Sequence, residues 1–161
     1  MIFSSHRSYE LRLFADYFHF YLQDEEADGD LSESWDRHTL TIRVAVVPGT
    51  IGVVTARSTE VPVSVSILEN APEVEGLTGW DHVAEASIDV PSGTLIIAGP
   101  ADYLPDATRI AVVPGAYRAR ICYGGLDTLR EKDLRGDDHY HVLLWPQAYN
   151  PISVIKQYQD A

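Results

Sequence analysis

Short apolar segments, separated at regular intervals by proline and glycine, constrain the fold of this chain most strongly. These segments are 9–23, 50–57, 60–69, 82–90, 93–99, 108–113, 115–125 and 137–146. In 60–69, valine and isoleucine at every second position alternate with small or polar residues, which is typical of a strand with one buried face. Eight or nine short strands, with a turn signal roughly every ten residues, predict a mainly β fold, an antiparallel β-sandwich.

One segment, 34–47, departs from this pattern. Its threonine, isoleucine and valine content favours a strand, but Ser34 or Asp36 can cap a helix. Three apolar residues would then fall on one helical face: Leu40, Val44 and Val47. We therefore predict one short helix near residues 34–46, within a single β-rich domain that spans residues 1–161.

The charge balance restricts the partners that this chain can bind. Its 161 residues include 24 Asp and Glu against 12 Lys and Arg, a formal net charge of -12. Such a chain repels nucleic acid and anionic membranes, and it attracts basic surfaces. The lone cysteine, Cys122, cannot form an internal disulfide, and the N-terminal residues lack the long apolar stretch of a signal peptide. We expect a cytoplasmic protein whose partners include neither nucleic acid nor membrane.

The stretch GDDHYHVLLWP, residues 136–146, carries the strongest suggestion of a metal site. On a strand, His139 and His141 point to the same face, opposite a set that begins with Tyr140. Two such histidines can hold a metal if a third ligand arrives from elsewhere in the chain. The other interpretation is an exposed strand face that follows an ordinary turn at Gly136, in which aspartate side chains bond the local backbone.

An acidic loop at 24–36 partly matches the calcium-binding EF-hand pattern. Its acidic residues and Gly29 occupy suitable positions, but Trp35 stands where the pattern requires a glutamate. A strand-like segment also precedes it where an EF-hand has a helix. We predict a solvated acidic loop, with an incidental cation as the alternative, and we expect no cofactor.

Motifs for nucleophilic catalysis and nucleotide binding are absent from the sequence. It contains no Gly-X-Ser-X-Gly elbow, no Walker loop and no Gly-X-Gly-X-X-Gly. Three tyrosines, Tyr9, Tyr17 and Tyr21, would be able to stack against a sugar, although aromatic residues at strand spacing more often belong to a core. We therefore expect a protein that is not an enzyme.

The order of several segments resembles a known family. The segments are 18–24 (FHFYLQD), 32–36 (SESWD), 48–56 (PGTIGVVTA), 61–69 (VPVSVSILE), 87–93 (SIDVPSG) and 114–123 (PGAYRARICY). This order resembles the competence protein J family, small bacterial proteins that inhibit a nuclease. The stretches YGGLDTL (123–129) and GDDHYHVLLWP (136–146) are also similar to bacterial proteins of unassigned function. The resemblance implies a compact β-rich fold with a short helix, and binding to a nuclease.

Three hypotheses about function follow. The first is a non-enzymatic acidic binding protein, an inhibitor or immunity-type partner of a basic enzyme such as a nuclease or toxin. Its candidate partner-binding residues are Asp24, Glu25, Glu26, Asp28, Asp30, Glu33 and Trp35. The second is a β-sandwich module for a small molecule or sugar. The third is a metal-dependent enzyme built around His139 and His141.

Overall fold

Two β-sheets make up most of the structure, a computed structural model that describes residues 7–74, 76–130, 132 and 135–159. The large sheet contains, in spatial order, β1 (Arg7–Phe14), β5 (Glu60–Ile67), β10 (His139–Pro146), β9 (Gly115–Gly124), β6 (His82–Val90) and β11 (Ser153–Lys156). The small sheet contains β3 (Val44–Val47), β4 (Thr50–Val54), β2 (His19–Asp24), β7 (Thr94–Ala98) and β8 (Thr108–Ala111). The prediction of a mainly β sandwich is confirmed. Neighbouring strands are antiparallel, except that β5 and β10 run parallel.

The core lies between the two sheets and follows from residue alternation along each strand. In β5 and β10 buried side chains alternate with more exposed ones, as the sequence predicts, until Ser66 and Trp145, which are also buried. Tyr140 is the first buried residue of β10. The ring of Tyr140 makes edge-to-face contacts with Phe20 of β2, at 6.0 Å, and with Tyr123 of β9, at 5.8 Å. The contact between Tyr140 and Phe20 therefore joins the two sheets across the core.

The apolar segment 9–23 forms two strands that belong to different sheets. β1 ends at Phe14, and β2 begins at His19 on the other side of the core. A 3₁₀ turn at Asp16–Phe18 connects them, with Ala15 fully buried beside it. The chain therefore passes from one layer to the other within four residues, Ala15 to Phe18.

The helix predicted near 34–46 is present as α1 (Arg37–Ile42). Asp36 caps it by accepting a hydrogen bond from the backbone N–H of Thr39, and the Thr39 hydroxyl accepts one from the backbone N–H of Asp36. The predicted helical face is wrong, because the chain leaves the helix at Arg43 and enters β3, which contains Val44 and Val47. Leu40 is 50% exposed.

Among the described residues, no helix has the length and hydropathy that crossing a membrane requires.

Two buried arginines hold loop segments over the outer face of the large sheet. Arg118 and Arg120 share the carboxylate of Glu85, at 3.3 and 2.8 Å. Arg118 also donates to the carbonyls of residues 150 and 151, and Arg120 to those of residues 72 and 73. Burial next to this cluster raises the pKa of the Cys122 thiol to about 11, which matches a packed rather than a reactive cysteine.

Candidate partner-binding surface

The turn between β1 and β2 exposes two consecutive aromatic side chains on a left-handed backbone. Tyr17 has a φ of 57° and is 77% exposed, and Phe18 has a φ of 64° and is 46% exposed. The turn is fixed by hydrogen bonds from the Tyr17 N–H to the Asp16 carboxylate, at 3.1 Å, and from the Thr55 N–H to the Phe18 carbonyl, at 2.9 Å. Bulky residues rarely adopt this conformation, so the surrounding structure holds both rings at the surface against a local cost.

The acidic loop lies across the outer face of the small sheet, anchored by Leu31 and Trp35. A Cβ atom added to Gly52 of β4 would lie 2.8 Å from Cη2 of Trp35 and 2.9 Å from Cδ1 of Leu31. Only glycine therefore allows the loop to approach β4 this closely. The Trp35 ring also packs against the His19 ring of β2, with centroids 5.0 Å apart and planes tilted by 51°.

An apolar recess of about 490 Å³ opens beside this ring pair. Its lining includes Tyr17, Phe18, His19, Trp35, Leu40 and Val54. Burial lowers the pKa of His19 below its ordinary value, so the neutral imidazole predominates in the recess at neutral pH.

A second recess of about 350 Å³, here called the acidic recess, shares His19 and Trp35 with the apolar recess. Asp28 and Asp30 of the acidic loop contribute to its lining. The ring pair is therefore a wall with an apolar surface on one side and carboxylates on the other.

The predicted carboxylates do not all reach the surface. Glu26, Asp28, Asp30 and Glu33 are exposed. Asp24 is only 2% exposed, and its carboxylate accepts hydrogen bonds from the backbone N–H and hydroxyl of Ser92. Glu25 forms an ion pair with Arg109 at 2.7 Å. The placement of Asp24 in a solvated loop is wrong, because this carboxylate ties the loop to the turn at Ser92.

Neither predicted metal site has a complete set of ligands. Within the described ranges, no three His, Cys, Asp or Glu side chains lie close enough together to hold a metal ion. In the acidic loop, the first EF-hand position belongs to Asp24, whose oxygens already accept hydrogen bonds from Ser92 and Glu26.

The two histidines of β10 lie on the outer face of the large sheet, as predicted. The rings of His139 and His141 lie 5.2 and 6.2 Å from the ring of Trp80, and Nε2 of His141 hydrogen-bonds with the Ser66 hydroxyl at 3.1 Å. Asp138 differs from its predicted role in a local turn. It is fully buried, forms an ion pair with Arg57 at 2.5 Å, and accepts a hydrogen bond from the Tyr140 hydroxyl.

The three tyrosines proposed as a sugar platform lie in different places. Tyr9 of β1 packs against the core, and Tyr21 of β2 lines the acidic recess. Tyr17 lines the apolar recess instead. The structure therefore distributes these rings over several surfaces and does not assemble the predicted platform.

Sequence reasoning missed Phe18 and Leu40 as surface residues. The pattern of 9–23 fits one long strand or two short ones and does not mark Phe18 as a turn residue, and the helical pattern places Leu40 on a buried face. One signal was available in the sequence. Gly52 interrupts an otherwise branched apolar strand, which often marks the close approach of another chain segment.

The fold is similar to that of two solved structures. The first is the crystal structure of ComJ, inhibitor of the DNA degrading activity of NucA, from Bacillus subtilis, with a TM-score of 0.69 and 12% identity over 88% of this chain and 98% of that chain. The second is that of crocagin biosynthetic gene J, with a TM-score of 0.56 and 16% identity over 91% of this chain and 100% of that chain. No protein-family model matches the sequence, and comparison with curated proteins gave no significant match. At these identities the likeness establishes the fold, and the predicted resemblance to competence protein J is confirmed at that level.

Proposed function

We propose that this protein is a non-enzymatic inhibitor that binds a basic, DNA-degrading nuclease through its acidic loop. The observation that carries the proposal is the fold likeness to the nuclease inhibitor ComJ, which extends over 88% of this chain and 98% of that one. The net charge of -12 supports it, because a nuclease that binds DNA presents a positive surface to phosphates.

The acidic loop supplies charge where a partner can reach it. Glu26, Asp28, Asp30 and Glu33 are all exposed within eight residues of the sequence. Anchoring by Leu31 and the buried Asp24 holds these carboxylates on a fixed backbone, which reduces the ordering cost of binding. Their field accelerates association with a basic surface at low salt and is screened at high salt.

The test measures DNA degradation in the presence of this protein, using NucA and nuclease fractions from the source organism as probes. We expect at least one of these activities to be inhibited, and more strongly at low than at high salt. The test variant neutralises the loop: Glu26→Gln, Asp28→Asn, Asp30→Asn and Glu33→Gln. The matched control neutralises four exposed carboxylates away from the acidic loop: Glu10→Gln, Glu60→Gln, Glu73→Gln and Asp127→Asn.

Both variants remove the same amount of charge, so they separate a local site from a general effect of acidity. We expect the loop variant to lose about tenfold or more in affinity at low salt, and the control variant to lose much less. Failure to inhibit any of the nucleases tested would refute the proposal. Equal losses in the two variants would refute the assignment of binding to the loop.

A further inference from the structure

We infer that the apolar recess accepts an aliphatic or aromatic side chain which the basic partner presents next to a lysine or arginine. This inference rests on the proposed inhibitor function and adds the contact that slows dissociation of the complex. The binding surface then has two parts, a charged part that attracts the partner and an apolar part that retains it.

The rim of the recess brings several large, exposed apolar side chains close together. Tyr17 is 77% exposed, Leu40 50% and Phe18 46%, and all three line the same recess with the Trp35 ring. Clustered apolar side chains with a charged border are typical of protein-binding sites, and tyrosine and tryptophan are enriched among the residues that dominate binding energy.

The backbone of the turn provides an independent argument. Tyr17 and Phe18 are consecutive aromatic residues with positive φ, where glycine would fit without strain. Each such residue costs roughly 1–3 kcal/mol, and the exposed side chain of Tyr17 recovers little of that through packing within the fold. The strain is therefore better explained by what the rings contact outside the chain.

Charge complementarity favours a basic partner over a second copy of this chain as the occupant of the recess. The ring pair of His19 and Trp35 separates the apolar recess from Asp28 and Asp30, whereas Arg37 and Arg43 lie on the opposite side, next to Leu40. A partner that reaches across Trp35 therefore places the neighbours of its inserted side chain beside carboxylates. Those neighbours gain from a positive charge, and a guanidinium can also stack on Trp35. A second copy of this chain is disfavoured, because both copies carry a net charge of -12.

The recess variant combines Tyr17→Gly with Leu40→Ser. Glycine removes the ring and relieves the left-handed strain, so the fold is expected to survive, and thermal unfolding checks this directly. The matched control combines Tyr149→Ser with Val113→Ser, at positions that are 73% and 78% exposed elsewhere on the surface. Affinity for the inhibited nuclease is measured for both variants at low and at high salt.

We expect the recess variant to lose at least tenfold in affinity at both salt concentrations, mainly through faster dissociation, while the control retains affinity. The loop-neutralised variant differs, because its loss of affinity becomes smaller as the salt concentration increases. A nuclease that is inhibited equally by the recess variant and the wild type overturns this inference and leaves the proposed function intact.

A second readout does not require the nuclease. Two short peptides of equal charge, Arg-Leu-Arg-Trp-Arg and Arg-Ser-Arg-Ser-Arg, are titrated into isotopically labelled protein. We expect the apolar peptide to shift the NMR signals of Trp35 and Leu40, and the serine peptide to leave them unchanged. Equal shifts with both peptides, or no shift with either, overturn the inference. Selective binding without inhibition of any nuclease supports the recess assignment and refutes the proposed function.

Discussion

His82 joins two distant parts of the chain through a neutral imidazole. It is fully buried, its Nε2 lies 2.7 Å from the carbonyl of Ile42, and its Nδ1 lies 3.0 Å from the backbone nitrogen of Tyr158. Because the backbone N–H of Tyr158 donates, Nδ1 accepts and the proton resides on Nε2, which donates to Ile42. Burial lowers the pKa of His82 below its ordinary value of 6.5, and nearby Arg43 lowers it further, although the bond to Ile42 acts in the opposite direction.

We expect stability to fall as the pH decreases below about 6.5, because the unfolded chain then binds a proton that folded His82 resists. The loss continues until the pH reaches the lowered pKa of the folded state. One such proton contributes a slope of at most about 1.4 kcal/mol per pH unit. The measurement is urea unfolding across this range for the wild type and His82→Gln, whose amide can replace both hydrogen bonds. If the free energy of unfolding depended on pH equally in the two proteins, the assignment of this effect to His82 would be contradicted.

At the scale of elements, α1 is a six-residue helix (Arg37–Ile42) that carries Leu40 at the rim of the apolar recess. So short a helix is unstable by itself, and its capping box and the packing of Ile42 hold it in place. The position of Leu40 therefore depends on the Asp36 cap, whose hydrogen bonds lower the pKa of that carboxyl.

Substitutions at Asp36 separate its cap from its charge. Asp36→Ala removes the acceptor for the Thr39 N–H, and we expect the urea midpoint to fall by about half a molar. Asp36→Asn keeps an equally good cap and removes the charge, so we expect little change in that midpoint. Equal destabilisation by alanine and asparagine would show that charge, rather than capping, holds the helix.

At the scale of the whole molecule, unbalanced negative charge opposes folding. The net charge is -12, and three of the twelve Lys and Arg residues, Arg57, Arg118 and Arg120, are buried in ion pairs inside the fold. These ion pairs hold three arginines but only two carboxylates, Asp138 and Glu85, so the remaining charges keep a large negative excess and repel one another.

We expect the melting temperature to rise when sodium chloride increases from about 10 mM to about 100 mM, because the screening length falls from about 30 Å to about 10 Å. Scanning calorimetry measures this directly. The charge-neutralised control, in which Glu10, Glu60, Glu73 and Asp127 become amides, should show a smaller rise. A melting temperature that falls with salt would contradict this account and would indicate that surface ion pairs dominate.

The amino-acid sequence by itself determined most of the strands, because alternation is a local property of neighbouring residues. The predicted segment 82–90 is identical to β6, and the valines of 60–69 form the buried face of β5. The same local logic placed Tyr140 in the core and both histidines of β10 on the outer face. After segment 137–146 the sequence has no strong alternating pattern, so no strand is predicted there and β11 was missed.

Only the tertiary structure decided where the candidate surface lies. Asp24 is buried because Ser92, 68 residues away, satisfies its carboxylate, and nothing near Asp24 in the sequence signals that partner. The apolar recess forms where β2, the acidic loop and α1 meet, around a turn inside segment 9–23, whose pattern fits one long strand or two short ones and does not locate the turn. Local patterns encode which face of a strand avoids water, whereas a binding surface depends on which distant segments fold against each other.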